Sequence, residues 1–224
     1  MGELIQVKRP DGKDCPSYLA LPAEGKNAPG FVVIQEWWGL NEQMKRTADR
    51  LAAAGYRALV PDLFRGKLAK GAEEANHLMT GLNFLDAAEN DVRGCVQHLK
   101  GYAPSKVCVG GFCMGGALTI ISAVKLPEMD AGACFYGIPP KQVADPAAIK
   151  IPMIFHFATQ DDWCNPSAVG DLEQSLKQGS AKYELYRYEA QHAFMNENRP
   201  EVYDEAAAKL AWDRTLQFLK RVLS

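Results

Sequence analysis

Short runs of apolar and β-branched residues alternate along this chain with longer segments of helical periodicity. The clearest short runs are Phe31–Gln35, Arg57–Val60, Lys106–Val109 and Met153–Phe157. Strands that alternate with helices in this way are typical of a parallel sheet with crossover helices. The alternation therefore predicts an α/β fold before any individual side chain is considered.

The beginning of the chain follows a different pattern. Leu4–Arg9 and Ser17–Leu21 flank the turn sequence PDGK at positions 10–13, which predicts an antiparallel hairpin at one edge of the sheet. Two further strands are predicted later, and helices are predicted between the strands. These strands are Gly132–Tyr136 and Tyr183–Tyr188, and the helices are Glu42–Ala54, Phe84–Leu99, Gly115–Val124, Ser167–Gln178 and Pro200–Val222. The segment Leu63–Leu82 is less regular, and we expect it to border the site. The whole pattern predicts a mostly parallel central sheet with helices on both faces and an antiparallel N-terminal edge.

Length and composition restrict the class of protein further. The 224 residues lack repeats and low-complexity tracts, so we expect one domain over residues 1–224. The formal net charge is −2 with scattered Lys and Arg, which gives no support to a nucleic-acid or anionic-membrane partner. No apolar run approaches the roughly 20 residues that cross a bilayer, and the N-terminus does not resemble a signal peptide. We therefore expect a cytoplasmic protein, as a monomer or a small homo-oligomer.

The six cysteines and four histidines do not form a metal-binding pattern. None of the cysteines forms a CxxC pair, and the histidines lie far apart in the sequence. Zinc sites normally show closely spaced ligands, and disulfides are rare in cytosolic chains. We therefore expect no metal and mostly buried, reduced cysteines.

One cysteine stands in a special context. Cys113 lies at the centre of GFCMGG, residues 111–116, between a predicted strand and a predicted helix. The pattern Gly-x-nucleophile-x-Gly is that of a nucleophile elbow, a turn too tight for side chains at Gly111 and Gly115. The helix N-terminus that follows favours a thiolate and offers N–H groups to an oxyanion. The alternative is a buried cysteine in a glycine-rich connection, which could bind phosphate, although no Lys-Ser/Thr pair completes a P-loop.

A nucleophile of this kind needs a general base, and two histidines follow Cys113. His156 lies inside an apolar strand and is interpreted as a packed core residue. His192 follows the last predicted strand and precedes the last helix, which is where the base occurs in the order nucleophile, acid, histidine. The acid should follow the preceding strand, where Asp161 and Asp162 are both candidates. Both could instead be turn-forming residues.

With these residues the chain resembles the dienelactone hydrolase family, also called carboxymethylenebutenolidases, of the α/β-hydrolase fold. The resemblance spans nearly the whole chain. It rests on the segments QEWWG at 35–39, VPDL at 60–63, GFCMGG at 111–116, the segment around Asp161, and HAF at 192–194. A cysteine in place of the common serine at the elbow is the most specific of these features.

The resemblance implies ester or lactone hydrolysis of a small molecule without cofactor or metal. It favours Asp161 over Asp162 as the acid. It also implies that Glu36 holds the Cys113 thiol protonated at rest and accepts its proton when substrate enters, although a surface glutamate at a strand end remains the alternative. The oxyanion hole would be the backbone N–H groups of Trp37 and Met114.

The sequence identifies the substrate-contacting residues less specifically than the catalytic ones. Trp38, Trp163 and Phe194 are expected to contact the substrate. The arginines through which the family binds the dienelactone carboxylate are missing, because residues 72–90 contain no Arg and residues 195–197 read MNE. Arg199 is the nearest cation, and Arg65 or Lys67 could reach the site from another loop. An uncharged or aromatic ester is as plausible as dienelactone.

Two rival functions remain open at this point. The same acyl-Cys113 intermediate would serve a thioesterase or an acyltransferase. A non-catalytic binding protein or thiol-based sensor could keep the pocket and use Cys113 only as a reactive thiol, but it would need neither Asp161 nor His192 in these places.

Overall fold

A twisted sheet of eight strands organises the described part of the chain, residues 2–23, 27–102 and 106–224 of a computed structural model. The strands are β1 (Glu3–Lys8), β2 (Asp14–Ala20), β3 (Gly30–Ile34), β4 (Arg57–Pro61), β5 (Val107–Phe112), β6 (Ala131–Phe135), β7 (Met153–Gln160) and β8 (Tyr183–Gln191). Their order across the sheet is β1-β2-β4-β3-β5-β6-β7-β8. β1 and β2 pair antiparallel, β2 pairs antiparallel with β4, and all other pairs are parallel. The predicted fold class and its antiparallel N-terminal edge are confirmed.

Helices cover both faces of the sheet and enclose two apolar cores. They are α1 (Glu42–Ala53), α2 (Ala72–Thr80), α3 (Phe84–Asp86), α4 (Arg93–Lys100), α5 (Met114–Lys125), α6 (Pro166–Gln178) and α7 (Glu205–Val222). One core contains buried residues of α1 and α7, and the other contains buried residues of α4, α5 and α6. Strands between two such layers are buried on both sides, as the uninterrupted burial of β3, β4, β5 and β6 shows.

Several element boundaries differ from the prediction for physical reasons. Residues 63–82, expected to be irregular, contain α2, whose apolar face is short: Ala75 is buried, and the half-buried Leu78 and Met79 pack against the core. The expected helix Phe84–Leu99 is continuous only through a π-helical stretch, Ala87–Val92, between α3 and α4. The last helix begins at Glu205 rather than Pro200, because the Asp204 carboxylate caps it by accepting from the Ala207 N–H.

Strands β7 and β8 are longer than expected. The predicted strands end at Phe157 and Tyr188, but pairing continues past a register shift until Gln160 lies opposite Gln191. The shift is a β-bulge type of irregularity. The apolar pattern of the sequence could not predict the extra strand residues, because most of them are polar. Asp161 and His192 are therefore the first residues after two neighbouring parallel strands.

The carboxyl ends of the parallel strands collect the predicted reactive residues at one edge of the sheet. Glu36 follows β3, Cys113 follows β5, Asp161 follows β7 and His192 follows β8. Ligands of open α/β sheets bind outside this edge. By contrast, His156 in β7 is fully buried, which confirms its interpretation as a core residue.

Candidate active site

The backbone at Cys113 is held in a sharp turn between β5 and α5. Cys113 has φ 56° and ψ −116°, a conformation that non-glycine residues adopt at a cost of about 1–3 kcal/mol. Its N–H donates to the Phe135 carbonyl at 3.0 Å, and its own carbonyl accepts from Gly116 N–H at 2.9 Å. These bonds on both sides of the residue stabilise the strained turn. The thiol stands half-buried at the N-terminus of α5.

The glycines of the turn are required by close backbone contacts. A Cβ on Gly111 would lie 2.4 Å from the Gly115 carbonyl oxygen, and a Cβ on Gly115 would lie 2.4 Å from the Ile34 carbonyl oxygen. Both distances are below any real Cβ contact. The elbow spacing seen in the sequence therefore reflects β3, β5 and α5 packed directly against one another.

Asp161 and His192 meet beside the thiol. The Asp161 Oδ2 atom lies 2.7 Å from His192 Nδ1, which leaves the other ring nitrogen of His192 for proton transfer. The second oxygen of Asp161 accepts the backbone N–H groups of Trp163 at 2.8 Å and Cys164 at 2.9 Å. Asp161 is buried and fully partnered, whereas the neighbouring Asp162 is exposed at the mouth of the cleft.

Electrostatics favour a charged pair at this position. Burial disfavours the charged form of His192, but the hydrogen bond to Asp161 and the adjacent Cys113 outweigh it and raise the pKa of His192 to about 10. Burial would raise the pKa of Asp161, but the hydrogen bond to His192 and the two backbone N–H groups lower it below its usual value. An imidazolium between a carboxylate and a sulfur atom is the state that stabilises a thiolate.

Glu36 lies in the same cleft, fully buried. Its two carboxylate oxygens accept from the Tyr136 hydroxyl at 3.1 Å and from Asn196 Nδ2 at 2.5 Å. Burial raises the pKa of Glu36, and these two hydrogen bonds oppose that rise. Cys113, whose proton Glu36 is expected to accept, is not among these two donors, although Glu36 and Cys113 line one cavity.

The two predicted oxyanion donors flank Cys113 on adjacent elements. Met114 is the first residue of α5, so its N–H has no carbonyl partner within the helix. Trp37 directly follows Glu36 beyond the end of β3, and its ring lies edge-on to those of Trp38 and Trp163. These positions match the arrangement in which one N–H comes from each side of an attacked carbonyl.

Two cavities of different character meet at Cys113. A cleft of about 200 Å³ is lined by the charged residues Glu36, Asp162 and Arg199 and by apolar side chains, Trp38 among them. A second cavity of about 560 Å³ has an almost wholly apolar wall. Met79, Trp163, Cys113 and His192 line both cavities. Trp163 is 66% exposed and Trp38 is half-buried, so both are placed where a substrate would contact them.

Other predicted contacts lie elsewhere. Phe194 does not face either cavity: it is fully buried and packs against Tyr136 and Tyr188, because the strained turn at Ala193 directs the chain inward. Arg65 donates to Asp91 at 2.7 Å instead of reaching the site. Lys67 is exposed and lines neither cavity. Arg199 does line the cleft, where its Nε atom donates to Glu201.

Tyr136 and Asn196 were not predicted from the sequence. Tyr136 directly follows β6, so the rule that places reactive residues after parallel strands could have identified it. Its ring also contacts the His192 ring, with centroids 5.1 Å apart. Asn196 lies in a turn after His192, with its side chain buried against Glu36, and no local pattern distinguishes it from an ordinary turn residue.

Metal and membrane sites receive no support from the described residues. Across residues 2–23, 27–102 and 106–224, no group of three or more His, Cys, Asp and Glu side chains is arranged to hold a metal ion. In the same part of the chain, no helix is long and apolar enough to cross a membrane.

Known proteins resemble this chain over nearly its whole length. The sequence profile of the dienelactone hydrolase family matches residues 15–223. The chain belongs to the dienelactone hydrolase family. It is therefore a carboxylic ester hydrolase of the α/β-hydrolase fold, and a small-molecule ester or lactone is the substrate class that the family acts on.

Relatives of the dienelactone hydrolase family resemble the chain over their full length. The protein usf of Aquifex pyrophilus is 35% identical, and a protein of Aquifex aeolicus, named provisionally as a carboxymethylenebutenolidase, is 32% identical; both alignments cover 100% of each chain. A solved structure of a dienelactone hydrolase-like promiscuous phosphotriesterase from metagenomic libraries superimposes with a TM-score of 0.87, at 20% identity, over 100% of this chain and 99% of that one. This last likeness shows the shared fold.

Proposed function

We propose that this dienelactone hydrolase-like enzyme cleaves ester or lactone bonds through an acyl-thioester on Cys113, with His192 as general base and Asp161 as its orienting acid. The observation that carries the proposal is the 2.7 Å contact of His192 Nδ1 with the buried Asp161, beside a thiol at a nucleophile elbow. A sensor or a binding protein has no need of this arrangement.

In the first half of the reaction Cys113 attacks the substrate carbonyl as a thiolate paired with protonated His192. The carbonyl π electrons move to oxygen, where the N–H groups of Met114 and Trp37 stabilise the negative charge. Collapse of the intermediate breaks the C–O bond, and the departing alkoxide takes the proton from His192. Cys113 then carries the acyl group as a thioester.

In the second half a water molecule replaces the alcohol. His192 takes a proton from the water, whose oxygen attacks the thioester carbonyl, and the C–S bond then breaks. Free acid and the resting enzyme result. Asp161 keeps the imidazole in one tautomer and stabilises its charged form throughout. No step needs a metal or a cofactor.

Glu36 has a proposed supporting role. Its buried carboxylate has a raised pKa and shares the cleft with Cys113, so it can exchange a proton with the thiol once Tyr136 or Asn196 releases an oxygen. In that role Glu36 would protect the thiol from oxidation between turnovers, because the protonated thiol is the less reactive form. The hydrogen bonds from Tyr136 and Asn196 also hold Glu36, and with it the backbone of the next residue, Trp37, in place.

The test is a set of variants assayed with p-nitrophenyl esters and small lactones. Cys113→Ala and His192→Ala should each lower kcat/KM at least 10³-fold while leaving the circular dichroism spectrum unchanged. Mass spectrometry of the quenched wild-type enzyme should show an acyl adduct on Cys113. Wild-type rates in either variant would contradict the proposal.

The rival activities give different results in the same assay. Faster release of p-nitrophenol on addition of an amine or an alcohol, with transfer of the acyl group to it, would identify an acyltransferase. Preference for acyl thioesters over oxygen esters would identify a thioesterase. A thiol sensor would bind or react once at Cys113 without turnover.

A further inference from the structure

The two cavities that meet at Cys113 differ in the chemistry of their walls. The larger cavity, the apolar chamber, has walls from α5, from the chain after β6 and from the start of α3. Its residues away from the catalytic pair include Ala117, Ile121, Ile138, Val143 and Phe84. Among the described residues that line this chamber, none is Arg, Lys, Asp or Glu, and charge is confined to Cys113 and His192.

The smaller cavity has a mixed wall, in which polar atoms take a larger share than in the chamber. Gln160 and Gln191 line it together with Glu36, Asp162 and Arg199. Water that attacks an acyl-thioester must reach His192, and a departing alcohol must be solvated as it leaves. Both events are favoured on the polar side, because moving a hydroxyl group into apolar surroundings without a hydrogen bond costs free energy.

The difference between the two cavity walls favours one orientation of a bound ester. With the carbonyl oxygen between the N–H groups of Met114 and Trp37, one substituent lies in the chamber and the other lies in the cleft. The acyl group stays on Cys113 through both halves of the reaction, whereas the alcohol must leave and be replaced by water. An apolar acyl group in the chamber satisfies both requirements.

We propose that the apolar chamber is an acyl-binding site and that the preferred substrates are esters with an uncharged, apolar acyl group of medium length. The inference rests on the proposed function, since it takes Cys113 as the acylated residue. A volume of about 560 Å³ lies within the range of cavities that enclose small-molecule ligands. A carboxylate on the acyl group would lose its solvation there, and no Arg or Lys of the described residues lines the chamber to replace it.

The first experiment varies the acyl chain of p-nitrophenyl esters from acetate through butyrate and hexanoate to octanoate. Each added methylene should raise kcat/KM by up to about fourfold until the chamber is filled. Most of the gain should come from a lower KM, because burial of the chain stabilises ground state and transition state alike. A parallel series of butyrate esters with lengthening alcohols should show little gain.

The result that overturns the inference is a flat or falling acyl series. A gain confined to the alcohol series would likewise overturn it, because the alcohol would then occupy the chamber. Cys113→Ala is measured with every ester. Activity that survives in this variant contradicts the proposed function itself, whereas Cys113-dependent activity with no acyl-chain preference contradicts the chamber inference alone.

Two half-buried valines provide a matched pair of variants. Val143 lines the chamber and Val202 lines the cleft. Val143→Trp should lower the ratio of kcat/KM for octanoate to that for acetate at least tenfold, because the ring fills the chamber. Val202→Trp should leave that ratio within about twofold. If Val143→Trp does not fold, Ile138→Phe tests the same wall, and an unchanged ratio in a folded chamber variant contradicts the inference.

Discussion

At the scale of single residues, Asp161 and Asp162 show how differently two adjacent carboxylates can be placed. The Asp161 side chain is wholly buried and receives three hydrogen bonds, from His192 and from two backbone N–H groups. Those bonds keep it ionised, since its pKa is lowered despite burial. Asp162 has the same chemistry but stands exposed at the mouth of the cleft. The two aspartates therefore differ in their surroundings and not in their residue type.

The neighbouring aspartates make a matched test of the proposed triad. Asp161→Asn should lower kcat/KM by about 10²–10⁴-fold, because an amide cannot stabilise the imidazolium of His192 or hold the required tautomer. Asp162→Asn should change kcat/KM by less than about threefold. Initial rates with one p-nitrophenyl ester, at several pH values, compare the two. The reverse ranking would assign the acid to Asp162.

The residues of the candidate site differ in how clearly the sequence identifies them. Cys113 and His192 were predicted because the elbow glycines and the position after the last strand leave few alternatives. The choice between Asp161 and Asp162 depended on resemblance, since burial cannot be read from adjacent identical residues. Tyr136 and Asn196 were missed, because their relation to Glu36 joins segments 100 and 160 residues apart in the sequence.

At the scale of elements, the elbow depends on the close approach of α5 to β3. The Ile34 carbonyl lies where a side chain at position 115 would begin. Periodicity predicted the strand and the helix, and the glycine spacing predicted the turn between them. The same reasoning missed α2, whose apolar face of Ala75, Leu78 and Met79 spans little more than one turn, and it missed the ends of β7 and β8, where most residues are polar.

Gly115→Ala should therefore destabilise the protein by about 1–3 kcal/mol, because the added methyl overlaps the Ile34 carbonyl and the elbow must shift. Gly170→Ala is the control, since Gly170 lies within α6 and a Cβ there meets no other atom within 4 Å. That variant should gain up to about 1 kcal/mol from helix propensity. Urea unfolding measures both free energies. Equal effects of the two substitutions would contradict the close-contact argument.

At the scale of the whole molecule, His156 links three elements of one core. Its Nδ1 lies 2.8 Å from the Tyr188 hydroxyl in β8, and its Nε2 lies 2.9 Å from the Thr215 hydroxyl in α7. Burial lowers the pKa of His156 to about 3. The residue is therefore neutral in the folded protein at neutral pH. It connects the sheet to the last helix without a charge.

A lowered pKa makes this residue a source of acid sensitivity. The unfolded chain takes up a proton at His156 below pH about 6.5, whereas the folded protein does so only near pH 3. The free energy of unfolding therefore decreases as the pH falls through this window. Between pH 7 and pH 5 the loss amounts to about 2 kcal/mol. His156→Gln should remove about that much of the pH dependence measured by urea unfolding.

The exposed His77 in α2 supplies the control for that measurement. His77→Gln should keep the wild-type difference between pH 7 and pH 5, because the His77 side chain is exposed on α2 and takes no part in the buried hydrogen bonds of His156. If His156→Gln keeps the full difference as well, the acid sensitivity arises elsewhere in the molecule.

The pairing of Gln160 with Gln191 has a consequence for how this enzyme can change over evolutionary time. Asp161 and His192 each follow directly after a paired strand. The lengths of β7 and β8 up to the Gln160–Gln191 pair therefore determine whether the two side chains meet. A residue inserted in either strand would turn the next side chain to the opposite face of the sheet and separate the two groups. Insertions after Asn196, in contrast, would leave this pairing and the Asn196–Glu36 hydrogen bond unchanged, so new substrate preferences can arise in that connection while Asp161 and His192 keep their alignment.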